Sequence, residues 1–145
     1  MIHSSHLNLS KRSQRGTTLI ETLVALLVLS IGLLGVAALQ VNALQTNQSA
    51  NVRSQASVLA YDIVDRMRAN RDVALAGGYS VAYGATPTGT ALNELDLQAW
   101  KAALANTLPG GDGELSLVGN VALIRVQWAD RQSGASQTFE TRTEM

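Results

Sequence analysis

Residues 19–39 are apolar apart from Glu21, Thr22 and Ser30. As a helix this stretch is about 31 Å long at ~1.5 Å per residue, matching a hydrocarbon core of ~30 Å. Beyond it Val52, Ala56, Leu59, Ile63 and Met67 recur at three- and four-residue steps with polar residues between them, the signature of an amphipathic helix. The pattern predicts one unbroken helix from near Thr17 to near Ala74, about 87 Å long, half in a membrane and half against a folded head. Gly77 and Gly78 stop it, and residues 79–90, rich in Gly, Ala and Thr, read as an irregular connection. A second helix is expected to open at Asn93, with Asp96 three residues later in an approximate capping arrangement. It places Leu97, Trp100, Leu104 and Leu108 on one face, and residues 109–113 end it. Alternation then predicts strands over 114–118, 121–128 and 137–143, the first two joined at Gly119 and Asn120 and the last two by a polar turn. In the middle strand Ala122, Ile124, Val126 and Trp128 share the face that should meet the long helix. The expected fold class is α+β: a long N-terminal helix packed on a small antiparallel sheet of three to four strands.

Charge sharpens this picture. Only 15% of the 145 residues are charged, against ~25% in ordinary soluble domains, and between 16 and 52 the single charge is Glu21. A wholly soluble protein is therefore excluded as the simplest reading. From Arg53 onward eight basic residues face ten acidic ones, so no basic field exists for phosphate backbones and no nucleic-acid partner is expected. Cysteine is absent and histidine occurs only at His3 and His6. Most catalytic and metal chemistry disappears with them: no catalytic residue, metal site or cofactor is expected, and an enzyme on a signal anchor is disfavoured. Asp112 and Glu114 read as turn and strand residues rather than as a calcium loop.

Lys11, Arg12 and Arg15 precede the apolar run, and its far end has no charge until Arg53. The positive-inside rule puts the N-terminus in the cytoplasm and the head outside. Ala37 and Ala38 offer a weak signal-peptidase site, but a retained anchor is the better reading because the run is long and continues into helix. Glu21 then needs explaining. A carboxylate at a bilayer centre costs on the order of 3 kcal/mol on insertion scales, less near an interface, and marks function by default. If the chain were cut after Gly16, the new amino group of Thr17 would lie one helical turn before Glu21, on the same face.

The run Arg15-Gly16-Thr17-Thr18-Leu19-Ile20-Glu21, with a basic leader before it and an apolar segment after it, resembles the class III signal of type IV prepilins and type II secretion pseudopilins. Residues 59–72, with Asp65-Arg66-Met67-Arg68-Ala69-Asn70, and residues 121–130, ending near Trp128, resemble segments of PilV-type minor pilins. The resemblance implies cleavage by a prepilin peptidase between Gly16 and Thr17, N-methylation at Thr17, and a role for Glu21 in assembly or subunit registration. It implies a leader over 1–16, a transmembrane and assembly helix over 17–44, and a periplasmic head over 45–145. The head divides into an amphipathic helix (45–76), a connection with a short helix (77–113) and a sheet (114–145). Without the paired cysteines and anchor proline common in major pilins, a minor pilin is implied. Such a subunit would sit in the bacterial inner membrane and then at a pilus tip, priming assembly for twitching motility and adhesion. Its partners would be inner-membrane lipid, other minor pilins, the major pilin and a tip adhesin. Arg66 and Arg68 are candidate partner-binding residues, able to meet acids on a neighbour. A minor pseudopilin of a type II secretion system is the nearest alternative.

Overall fold

The computed structural model describes residues 17–130 and 134–145; the leader with Gly16, and Arg131, Gln132 and Ser133 of the polar turn, lie outside the described residues. The elements in order are α1 (Thr17–Ala69), α2 (Arg71–Leu75), α3 (Leu92–Thr107), β1 (Asp112–Val118), β2 (Val121–Ala129) and β3 (Ser136–Glu144). The chain forms two compact units, divided between Ala43 and Leu44 within α1. Among the described residues the first is a single apolar helix. In it the hydroxyls of Thr22 and Ser30 donate to the carbonyls of Thr18 and Leu26, each at 2.7 Å, so these polar side chains are satisfied by their own helix, as a lipid-facing segment requires.

The second unit, the head, is built on the distal part of α1. Ala56, Ala60, Ile63, Val64 and Met67 share one core with Leu97, Trp100 and Leu104 of α3, Leu115 of β1, and Ala122, Ile124, Val126 and Trp128 of β2. All four residues of the expected β2 face are buried, whereas Val52 and Leu59 of the α1 stripe are only partly so. The sheet has three strands in the order β1-β2-β3, both pairs antiparallel. A single bridge between Val81 and Leu115 extends it on the β1 side. Val118 pairs with Val121 across two turn residues, and the first, Gly119, has φ +60°, the position where a II′ hairpin turn needs glycine.

The structure corrects three expectations. The long helix stops at Ala69 rather than near Ala74, because Asn70 leaves helical geometry (φ −121°, ψ 51°). Its side-chain amide donates to the hydroxyl of Tyr79 at 3.3 Å, while its backbone N–H still bonds the Arg66 carbonyl at 3.1 Å. The separate α2 then buries Ala74, and Arg71 donates to the Met145 carbonyl at 2.8 Å. The second helix starts at Leu92, not Asn93, with no side-chain cap. Asn93 donates to the Gly78 carbonyl (2.6 Å), and Asp96 is drawn away by Tyr79 and Arg66. Finally, β3 is longer than its thin apolar content predicts, since nine backbone pairings to β2 carry it.

Candidate functional site

Two surfaces hold the residues singled out by the sequence. The first is the proximal part of α1. It is the one helix among the described residues long and apolar enough to cross a membrane, and none of its apolar window is buried within the chain. Leu19, Leu27, Leu34 and Leu39 are each at least 61% exposed. An uncovered apolar surface of this length is stable only in lipid or against other apolar helices. Thr17 begins the described helix and Glu21 follows one turn later, past a first turn with no acid. Among the described residues no side chain pairs with the Glu21 carboxylate. The site is thus an isolated anion at one end of an apolar rod.

The second surface is the end of α1 in the head. Arg66 donates from Nε to Asp62 (3.0 Å), one turn back in α1, and from Nη1 to Asp96 (3.2 Å), so one guanidinium also ties α1 to α3. Burial alone would lower the Arg66 pKa, but Asp96 and Asp62 outweigh it and raise the value. Asp96 also accepts from the hydroxyl of Tyr79 at 2.7 Å, and burial, then this bond, raises the tyrosine's pKa. Arg68 pairs with Asp65 at 3.3 Å and donates to the Thr143 hydroxyl at 3.0 Å. Both arginines offered to a neighbouring subunit are therefore engaged inside the head; Arg68 remains about half exposed.

Sequence reasoning missed how the connection after α2 is held. Asp112 accepts from Lys101 Nζ at 2.6 Å and from the backbone N–H groups of Gly84 (2.6 Å) and Gly113 (2.7 Å). Lys101 also donates to the Ala82 carbonyl at 2.9 Å. A Lys-to-Asp spacing of eleven residues gives no local signal of this latch. Burial works to raise the Asp112 pKa, yet Lys101 and the two N–H groups hold it below its ordinary value. A carboxylate with a depressed folded-state pKa stabilises the fold above its unfolded pKa and ceases to do so as pH falls through the folded value. Asp112→Asn is accordingly expected to cost roughly 1–3 kcal/mol at about pH 7 and less near pH 2. Denaturation midpoints of the two proteins at both pH values check this; an equal gap at both would remove the latch's charge from the account.

Among the described residues no group of three or more His, Asp or Glu is arranged to hold a metal ion. Residues 38–94 match the family model described as type IV pilin Tt1218, and residues 11–37 match that of the prokaryotic N-terminal methylation motif. No curated protein and no solved structure matches the chain.

Proposed function

We propose that this chain, which carries an N-terminal methylation motif and a type IV pilin segment, is a minor pilin of a type IV pilus, of the PilV type. Prepilin peptidase cuts after Gly16, Thr17 becomes the N-methylated terminus, and Glu21 sets the register of the subunit against its neighbours. The observation that carries this reading is the uncovered apolar stretch of α1 bearing one carboxylate that the described chain leaves unpaired. Such a helix is stable in a bilayer and equally stable in a bundle of similar helices, where packing rather than solvent exclusion holds it. The subunit can thus leave the inner membrane by assembling. Before assembly its N-terminus is cytoplasmic and its head periplasmic. In the pilus it belongs to the priming complex at the tip, with other minor pilins, a tip adhesin and the major pilin, and supports twitching motility and adhesion. It works as a structural subunit and not as an enzyme.

Intact-mass analysis of the membrane-extracted protein tests the first step. Removing 16 of the 145 residues leaves a species of 129 residues, and Gly16→Val should abolish it. A mature chain beginning at Met1 or after Ala38 would sink the reading. Pull-down from cells making pili should recover other small pilin-like proteins, whereas recovery of secretion-system subunits alone would reassign the chain as a pseudopilin.

A further inference from the structure

Within the head α1 carries a second stripe, one that the core does not use. Leu44, Asn47, Asn51, Ser54, Val58 and Tyr61 follow one another at steps of three and four residues, and every one is exposed. The exposed large hydrophobic residues of α1 in this unit are Leu44, Val58 and Tyr61, at 69%, 64% and 56%, and all three fall on this line. At ~100° per residue the stripe lies on the side of the helix opposite Ala56, Ala60, Ile63 and Met67, which enter the core. It contains no charge. Among the described residues the side-chain amides of Asn47 and Asn51 make no hydrogen bond within the chain.

Exposed positions spaced alternately by three and four residues form the seam of a two-stranded coil. Counted back along the helix, the same steps reach Gln40, Ala37 and Leu33, so the seam continues into the apolar segment that already requires a cover. We propose that this stripe docks the α1 of a second copy, the two helices running parallel and in register about a twofold axis along their length. Two chains anchored by the same segment enter the membrane in one orientation, and a twofold along the membrane normal preserves it for both. The contact is isologous and closed, so it yields a dimer. Continued to Leu23 and Leu19, the steps leave Glu21 off the seam, free for the role proposed for it.

The polar members select a second copy as the occupant. An amide carries both donor and acceptor, so in register Asn47 and Asn51 each meet their own counterpart with both satisfied, and Asn in such a seam fixes the register. Val58 and Tyr61 also meet themselves and leave water, where burial of apolar surface stabilises the contact. A slip of one heptad sets Asn51 against Val58 and Leu44, which strands its amide in the seam. A slip of four sets Gln40 against Leu44 and Ser54 against Val58. The next residue on the line is Asp65, paired with Arg68 of its own chain at 3.3 Å, where like charges would oppose each other. The contact in the head therefore ends at Tyr61, about 26 Å from Leu44. It concerns the chain in the membrane before assembly and does not depend on which assembly the chain joins.

The chain lacks cysteine, so one introduced thiol reports one contact. Full-length Ser54→Cys, expressed alone in a bacterial inner membrane and treated with a mild oxidant, should give a disulfide-linked homodimer, because facing seam residues lie within disulfide reach. Arg53→Cys, turned about 100° around the helix, should give roughly a tenth of that yield or less. Differently tagged copies test the register. Asn47→Cys should link to Asn47→Cys, whereas a copy with Asn47→Cys and one with Ser54→Cys, about 10 Å apart along the helix, should not link to each other. Asn51→Asp added to Ser54→Cys sets two carboxylates at one level of the seam and should cut the dimer yield roughly tenfold or more. Val58→Glu should do the same. Both positions are exposed and outside the core, so the denaturation midpoint of the detergent-extracted monomer should be unchanged. No dimer from Ser54→Cys, an equal yield from Arg53→Cys, linking of Asn47→Cys to Ser54→Cys, or indifference to both Asn51→Asp and Val58→Glu would each overturn the proposal. Since no other pilin is present, none of these results bears on the proposed place of the chain in a pilus.

Discussion

Glu21→Ala is expected to leave the chain in the inner membrane and still cut after Gly16, yet unable to restore piliation or surface motility in a strain lacking the gene. Glu21 is the only charge between 16 and 52, and it lies on a helix whose apolar window is wholly uncovered. Removing a carboxylate from such a segment relieves an insertion cost on the order of 3 kcal/mol at most, so membrane residence should hold or improve. Docking should suffer instead. In the proposed assembly the acid meets the Thr17 amine of a neighbour inside an apolar bundle, where attraction is far less screened than in water. Breaking a buried ion pair by deleting one partner costs roughly 3–5 kcal/mol, or a loss of hundredfold or more in association at ~1.4 kcal/mol per tenfold. Glu21→Gln should fail in the same way, because the amide keeps the size and loses the charge. Complementation at native expression is the measurement. Full restoration by Glu21→Ala would make Glu21 a tolerated interfacial acid and withdraw its assembly role.

Trp100→Ala should destabilise the head more than any other single truncation proposed for it. The Trp100 side chain is fully buried, and its Nε1–H donates to the Leu59 carbonyl of α1 at 2.9 Å. Its ring lies where a Cβ on Gly113 would stand, so α1, α3 and β1 meet on one indole. Truncating a buried Trp costs about 3–5 kcal/mol, a large share of the roughly 5–15 kcal/mol that typically holds a domain together. Trp100→Phe keeps much of the ring and loses the hydrogen bond, and should cost about half as much. Gly113→Val, which drives two methyls into the same space, should rival the alanine variant. Urea denaturation of the detergent-extracted chain, followed by circular dichroism, ranks the three. A loss under ~1 kcal/mol for Trp100→Ala would mean that the three elements do not depend on this contact.

Much of this arrangement was legible because its signals are periodic or compositional. The buried faces of α3 and β2 follow from steps of three, four and two residues, which backbone geometry imposes on any helix or strand facing a core. The apolar rod and its lone acid need only hydropathy and charge. Contacts between elements distant in sequence were not legible. Asp96 looks like a capping residue because Asn93 precedes it, but Tyr79 and Arg66 arrive from other elements and claim it. Arg66 and Arg68 have local partners in Asp62 and Asp65, but their ties to Asp96 and Thr143, 30 and 75 residues away, leave no local signal.

The sequence by itself determined the membrane-length apolar helix, the isolated carboxylate at its start, the α+β order of elements and the faces that become core. These depend on local geometry and on the transfer of side chains out of water, which each segment expresses alone. Only the tertiary structure decided that Asn70 breaks the long helix and that Asp112 and Lys101 latch the connection. Each of these is settled by which donor finds which acceptor once the core has closed, a competition that no local stretch of the chain contains.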